Sequence, residues 1–369
     1  MRSIALVLAL VVVGSVAAGL KQSAAATATP QIAAADTSPS LLPFDGNTGW
    51  IGSPPLTPAT LHGKVVLVDF WEYTCVNCLR TLPYLRTWYD RYHNLGFVIV
   101  GVHTPEFGFS GESGNVAAAI KQLNITWPVV LDTNDVIAKR YQFTGWPEEL
   151  LFDQNGQLVE TQNGEGNYPQ TEAKIQALLR ASNPQAHFPA VMALLPQDSY
   201  DKPGAVCYPQ TAETFVGPWH GPSIANASAF TSGADVNFVD PTSAHDDGKV
   251  YLSGYWHPSE NGQAMISGGG RAYMRLPYHA IQVVAVLKPE NGRTNRVVVT
   301  EDGQPVPKSD AGSDLQYDAS GTSYLTVDAP RAYNVIMNKA FGQHDLRLAP
   351  DGLGLGIYSI AFESCQVPS

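Results

Sequence analysis

Residues 65–71 form a continuous apolar run, which predicts a strand that is covered on both faces. A helical stripe follows at 79–92, where large apolar side chains recur with a period near 3.6 residues. Further predicted strands lie at 97–102, 129–131, 150–152 and 158–161, and further helices at 116–123 and 172–180. The alternation of strands and helices over residues 61–180 therefore predicts an α/β domain with a buried sheet.

Helical periodicity disappears after about residue 206, and short β-branched and aromatic runs alternate with Gly, Asn and Asp turns. The predicted strands are 250–255, 264–267, 272–276, 280–287, 296–300, 323–327, 332–337, 346–348 and 354–363. Short strands at this spacing are typical of an all-β sandwich, and a jelly roll is the favoured variant.

The N-terminus reads as an export signal. A basic start is followed by an apolar run at 4–20 and by small residues at 24–26. The run is long for a cleaved signal and also reaches the short end of a membrane span, so an uncleaved anchor stays open. Both alternatives place the remainder outside the cytoplasm. The resulting domain prediction is a signal peptide or anchor at 1–26, a linker at 27–43, an α/β domain at 44–182, a linker at 183–205 and an all-β domain at 206–369.

The composition and charge of the chain disfavour some classes of function. The chain has 369 residues and a formal charge of −11, without a basic cluster. This disfavours non-specific binding to nucleic acid or to anionic membranes. No nucleotide, flavin or metal motif is present, so no bound cofactor and no metal site are expected.

The chain has four cysteines, and two of them carry the chemistry. Cys75 and Cys78 lie between the first predicted strand and its helix, where unpaired N–H groups and the helix dipole stabilise a thiolate. Cys75 is the predicted nucleophile, and Cys78 would resolve the mixed disulfide. A structural disulfide or half of a zinc site are the alternatives. Cys207 and Cys365 remain as a possible structural bridge.

Several motifs resemble known redox proteins. Residues 61–180 resemble the thioredoxin fold family, because Asp69 precedes the cysteines at the family's spacing, Pro83 interrupts the helix, and Trp146-Pro147 precedes a strand. The stretches 70–85, 102–107 and 164–168 look like the DipZ-type thioredoxins. That resemblance implies an extracytoplasmic thioredoxin domain followed by a β-sandwich of carbohydrate-binding-module shape. Many members carry a multi-helix membrane domain that imports electrons; a single apolar segment here implies a separate membrane electron donor.

The resemblance also implies roles for individual residues. Burial is expected to raise the pKa of Asp69, which would take the proton of Cys78; a solvated strand end is the alternative. Pro147 is expected to be cis, so that a client peptide pairs beside it as an added strand. Three aromatic residues are expected to wall the site, or in part to pack in the core: Trp71, Tyr73 and Trp146.

Two other groups of residues carry competing interpretations. Glu72 either opposes the Cys75 thiolate or is a solvated loop residue, and its position disfavours a thiol peroxidase, for which a Thr is expected there. His103 suggests an acid–base or metal site, although a lone His at a strand end is more often structural. In the second domain the candidates for stacking on a sugar are Trp219, Tyr251, Tyr255, Trp256, His257, Tyr273 and Tyr278.

The sequence therefore predicts an exported thiol–disulfide oxidoreductase that exchanges disulfides with exported proteins, with reduction as the favoured direction. The competing hypothesis is a binding module, in which the β-domain targets a glycan or a partner protein and the redox site is secondary.

Overall fold

A computed structural model describes residues 40–195, 198, 201–220, 223–227, 234–241, 245–269, 271–290 and 292–367. The predicted signal or anchor at 1–26 and most of the predicted linker at 27–43 lie outside the described residues. Within the described part, no helix is both long and apolar enough to cross a membrane.

The first domain is a mixed six-stranded sheet with helices on both faces. Its elements are β1 (Gly49–Ile51), α1 (Pro58–Leu61), β2 (Val65–Trp71), α2 (Val76–Tyr92), β3 (Phe97–His103), α3 (Ser113–Gln122), β4 (Val129–Leu131), α4 (Val136–Tyr141), β5 (Glu148–Phe152), β6 (Leu158–Asn163) and α5 (Tyr168–Ser182). The strand order is β1-β4-β3-β2-β5-β6. Strands β2, β3 and β4 are parallel, whereas β5 runs antiparallel to β2.

Strand β2 is central because both of its faces are apolar. Val65 and Leu67 pack in the core that contains α2, α3 and α5, while Val66 and Val68 pack in the core that contains α1 and α4. All seven residues of the strand are buried. This double burial fixes the position of the loop that follows β2, which carries the thiols.

The second domain is all-β. Its strands are β7 (Val206–Cys207), β8 (Thr214–Phe215), β9 (Val236–Phe238), β10 (Tyr251–Pro258), β11 (Met265–Ser267), β12 (Tyr273–Pro289), β13 (Asn295–Glu301), β14 (Gln304–Pro305), β15 (Gln316–Tyr317), β16 (Ser323–Val327), β17 (Arg331–Pro350), β18 (Leu355–Glu363) and β19 (Cys365–Gln366). Eleven of these strands form one continuous sheet, and β7 pairs with β19 separately.

The predicted α/β thioredoxin fold and all-β domain are confirmed, although the second domain is joined more tightly than a sandwich of two separate sheets. Strand β12 pairs with β10 in its first half, with β18 in its second half, and with β17 through both. Because β11 also links β10 to β18, the strands β10, β11, β18 and β12 close a barrel-like ring. The long strand β12 thereby has different partners in its two halves, while β17 pairs with both halves.

A disulfide joins the two ends of the second domain. Cys207 and Cys365 lie directly opposite each other in β7 and β19 and are bonded, with a sequence separation of 158 residues. The bond fastens the first strand of the domain to its last strand.

Replacement of both cysteines by alanine, C207A/C365A, is expected to lower the free energy of unfolding by about 3–5 kcal/mol, because the unfolded chain loses a long closed loop. Urea denaturation of the double variant beside the wild-type protein measures the difference. Equal unfolding midpoints would show that the bond contributes nothing to stability.

Candidate redox site

The two thiols meet at the first turn of α2. Cys75 is the N-cap residue of this helix, and its Sγ accepts the backbone N–H of Cys78 at 3.2 Å. Both thiols are free; Cys75 is partly exposed and Cys78 is buried. A sulfur at the N-cap satisfies an otherwise unpaired helix donor, and negative charge on it is stabilised by the helix dipole. Cys75 is therefore placed to attack a disulfide, and Cys78 is placed to resolve the mixed disulfide that results.

Cys78 is held as a neutral thiol. Burial raises its pKa well above the ordinary value, and the adjacent Cys75 and Asp69 raise it further. A thiol in this condition needs a base before it can attack a disulfide.

Asp69, whose charge acts on Cys78, is a candidate for that base. It lies in the middle of β2 and is fully buried, and neither of its carboxylate oxygens has a hydrogen-bond donor among the described residues. Burial raises the pKa of Asp69 to about 7. A carboxyl group with this pKa exchanges protons at neutral pH. The alternative of a solvated strand end is wrong for this residue.

Glu72 braces the loop between β2 and α2. It is fully buried, so the solvated interpretation is wrong here too. Its Oε2 accepts the backbone N–H of Thr74 at 2.6 Å and also the Thr74 hydroxyl. Burial raises the pKa of Glu72 to about 7, although the Thr74 hydrogen bonds lower it in part. The residue holds the turn that presents Cys75.

His103 is a packed side chain at the end of β3. Its ring lies edge-on to Trp71 at 5.1 Å and stacked on Tyr73 at 5.6 Å between ring centroids. Burial lowers the pKa of His103 to about 3, so the imidazole is neutral. Its Nε2 lies 3.9 Å from Oε1 of Glu72. This environment favours the structural interpretation of His103.

The predicted client-binding residues separate into two groups. The Trp146–Pro147 peptide bond is cis, and the half-buried indole of Trp146 donates its Nε1–H to the Thr104 carbonyl at 3.1 Å. Trp71, in contrast, is almost completely buried in the core, so its expected place on the wall of the site is wrong. Tyr73 is also largely buried, but it lines a cavity beside the thiols.

Comparison with known proteins agrees with this geometry. Residues 53–179 match the Redoxin family, and residues 211–362 match the family described as thioredoxin like C-terminal domain. The protein DipZ of Mycobacterium bovis is 33% identical over 278 residues, which are 74% of this chain and 38% of that protein, and DipZ of Mycobacterium tuberculosis gives the same values. The chain is a homologue of DipZ. The resemblance inferred from the motifs is thus confirmed.

A shorter match covers the redox domain alone. The thiol-disulfide oxidoreductase ResA of Bacillus cereus is 29% identical over 118 residues, which are 32% of this chain and 65% of that protein. The match to DipZ covers 38% of that protein, so this chain spans little more than a third of the length of DipZ.

In this DipZ homologue the redox helix is tied to the second domain by an ion pair that the sequence did not reveal. Arg80 lies two residues after Cys78, and its Nη1 is 2.8 Å from Oε2 of Glu363 and 3.7 Å from Oε1 of Glu165. The other oxygen of Glu363 accepts the backbone N–H of Cys365 at 3.0 Å. The only signal in the sequence was the presence of Arg80 and Glu165 inside two of the three stretches that resemble DipZ.

A cavity of about 600 Å³ lies beside this ion pair. Tyr73, Val76 and Ala119 line it from the first domain, and Ile281 and Cys365 line it from the second. Its volume is in the range of ligand sites. Its wall includes Val76, the residue that follows Cys75.

The aromatic residues of the second domain are divided by burial. Tyr251, Trp256 and Tyr278 are buried, so their predicted stacking on a sugar is wrong. Trp219 and Tyr255 are exposed by 65% and 48%, respectively, and both keep an accessible face. The remaining two candidates are half-buried and hydrogen-bonded to acidic residues: His257 Nδ1 lies 2.7 Å from Asp235, and the Tyr273 hydroxyl donates to Asp240.

Proposed function

We propose that this chain is an extracytoplasmic thiol–disulfide oxidoreductase that reduces disulfides of exported proteins. The observation that carries the proposal is the position of Cys75, whose sulfur caps α2 and accepts the N–H of Cys78. This arrangement stabilises the attacking thiolate and keeps the second thiol within one helical turn.

The reaction balances as an exchange of two electrons. The Cys75 thiolate attacks one sulfur of the client disulfide, and the other client sulfur leaves as a thiolate. Cys78 then gives its proton to Asp69, and its sulfur attacks Cys75 and displaces the second client sulfur. Both client sulfurs end as thiolates, which take up protons from water to give a dithiol, and Cys75 and Cys78 end as a disulfide.

Client binding is proposed at the cis-proline side of the site. Pro147 has no N–H to donate, and the half-buried Trp146 precedes it, whereas the largely buried Tyr73 lines the cavity beside α2. A client segment would pair there through its backbone with the chain beside the cis-proline. Return to the dithiol form requires an electron donor, for which we propose a membrane protein outside this chain. Glycan binding at the exposed Trp219 and Tyr255 remains a prediction of the competing hypothesis.

The direction of exchange is tested by the reduction potential of the Cys75–Cys78 pair, measured by equilibration with dithiothreitol buffers and thiol trapping. A value near that of thioredoxin, about −270 mV, is expected for a reductase. A value near about −120 mV is typical of an oxidant and would reverse the proposed direction. The variant C207A/C365A is the control, because its trapped thiols come from the active pair alone.

A further inference from the structure

Asp69 has no direct exit for a proton. The side chain is fully buried beneath α2, yet the proposed reaction loads it with the proton of Cys78 in every turnover. The proton has to reach water before the next turnover, so a buried base of this kind needs a second group that leads outward.

The sheet register places such a group next to Asp69. Glu149 of β5 lies directly opposite Asp69 of β2, just as Leu151 lies opposite Leu67. Leu67 and Leu151 belong to the core on the α2 side, so by strand alternation Asp69 and Glu149 point to that same side. Side chains directly opposite each other in antiparallel strands are close neighbours.

The same face continues to the edge of the sheet. Glu160 of β6 lies opposite Leu151, and it is therefore diagonal to Glu149. Strand β6 lies at the edge of the sheet. Oε1 of Glu160 lies 2.9 Å from Nζ of Lys174, and the side chain of Lys174 is half exposed. Three carboxyl groups thus lead from the buried centre of the sheet to solvent across three adjacent strands.

Stability does not explain Glu149. It is buried, and only burial and the like charges of Asp69 and Glu160 shift its pKa, with no hydrogen bond or cation that would offset them. An acidic side chain in such a place costs free energy that an apolar residue would not. We infer that Glu149 is a proton-relay residue, which passes protons between Asp69 and the Glu160–Lys174 pair. The inference rests on the proposed function.

The charges around Glu149 suit this role. Burial raises its pKa well above the ordinary value, and the charges of Asp69 and Glu160 raise it further. Helix α5 adds Lys174 beyond Glu160 and the neutral phenol of Tyr168. Helix α2 adds Cys78 beside Asp69, whereas Gly101 of β3 opposite Asp69 brings no charge. Glu149 thus holds a proton more readily than an exposed carboxyl group does, and a carboxylic acid can give its own proton outward while it accepts another.

The test is E149Q, with E148Q as the matched control from the same strand but the opposite face. Stopped-flow tryptophan fluorescence follows the attack of Cys78 on a preformed mixed disulfide as a function of pH. We expect E149Q to slow this step about tenfold near neutral pH, and E148Q to leave it unchanged. The double variant D69N/E149Q is expected to be no slower than D69N, because the two residues act in series.

A second readout is independent of activity. At pH 7 and above, the infrared band of protonated carboxyl groups is expected to be weaker in E149Q than in the wild-type protein and in E148Q by the contribution of one group, because Asp69 and Glu72 add to the band in all three proteins. E149D is expected to restore part of the lost rate. E149L, which suits a buried strand, is expected to fold and to show the same slow step.

Three results would overturn the relay: an unchanged rate in E149Q, a D69N/E149Q effect equal to the product of the single effects, or a slowing that is the same at every pH. Each of these requires that the wild-type protein exchanges disulfides. Absence of exchange in the wild-type protein would instead contradict the proposed function, while the infrared band would still report the protonation of Glu149.

Discussion

Serine at position 75 is expected to abolish disulfide exchange, with a fall in rate of at least about a thousandfold. The hydroxyl of C75S does not ionise near neutral pH, so no nucleophile remains to attack the client. The fold is expected to survive, because serine is a favoured N-cap residue and its oxygen can accept the N–H of Cys78 in place of the sulfur. Reduction of a peptide disulfide, followed by thiol trapping and mass spectrometry, measures the rate.

The matched variant is C78S, which differs from C75S in the step that fails. It keeps the attacking thiolate and loses the resolving thiol, so a stable mixed disulfide between Cys75 and the client is expected to accumulate. C75S should form no such adduct. Appreciable exchange by C75S, or an adduct at position 78, would assign the attack to the wrong cysteine and remove the basis of the proposed mechanism.

The redox centre was predictable because its causes are local in sequence. A seven-residue run that is apolar except for Asp69 predicts a buried strand, and the first helical turn after it creates unpaired N–H groups wherever the helix begins. Cys75 stands at that beginning, so its environment follows from a dozen consecutive residues. Short-range order of this kind is readable without knowledge of the tertiary structure.

The long strands of the second domain were missed for a physical reason. Two predicted strands at 272–276 and 280–287 are one strand, β12, and two at 332–337 and 346–348 are one strand, β17. The pairing of β12 with β17 shifts register between Ala280 and Gln282, so the alternation of apolar and polar residues is interrupted there. The alternating pattern ends at such an irregularity, although the strand itself continues beyond it.

The burial of individual side chains could not be predicted from the sequence either. Tyr255 and Trp256 are neighbours in β10, and the first is half exposed while the second is completely buried. Successive residues of a strand point to opposite faces, so the face that meets the core decides which aromatic ring stays accessible. That choice depends on pairing with strands distant in sequence. The same is true of Glu149, whose importance appears only in its register with Asp69.

The variant D69N is expected to exchange disulfides more slowly than the wild-type protein. It is also expected to lose less stability than the wild-type protein as pH rises. Loss of the base should slow the attack of Cys78 by about 10- to 100-fold near neutral pH. Stability changes because the pKa of Asp69 is about 7 in the folded protein and 3.8 is its ordinary value. Between these values the folded protein keeps a proton that the unfolded chain has released, so the free energy of unfolding falls as pH rises. This single group accounts for a fall of about 2–3 kcal/mol between pH values of about 5 and 8.

Asparagine has no charge to bury, so this part of the pH dependence should be absent in D69N, while any packing penalty of the amide is the same at every pH. Urea denaturation at both pH values, with the exposed helix residue variant D90N as control, isolates the effect. D90N should keep the wild-type fall in stability, because it leaves the buried Asp69 carboxyl group in place. If D69N showed that same fall, Asp69 would not carry a proton at neutral pH. It could not then take the proton from Cys78, and the resolving thiol would need a different base.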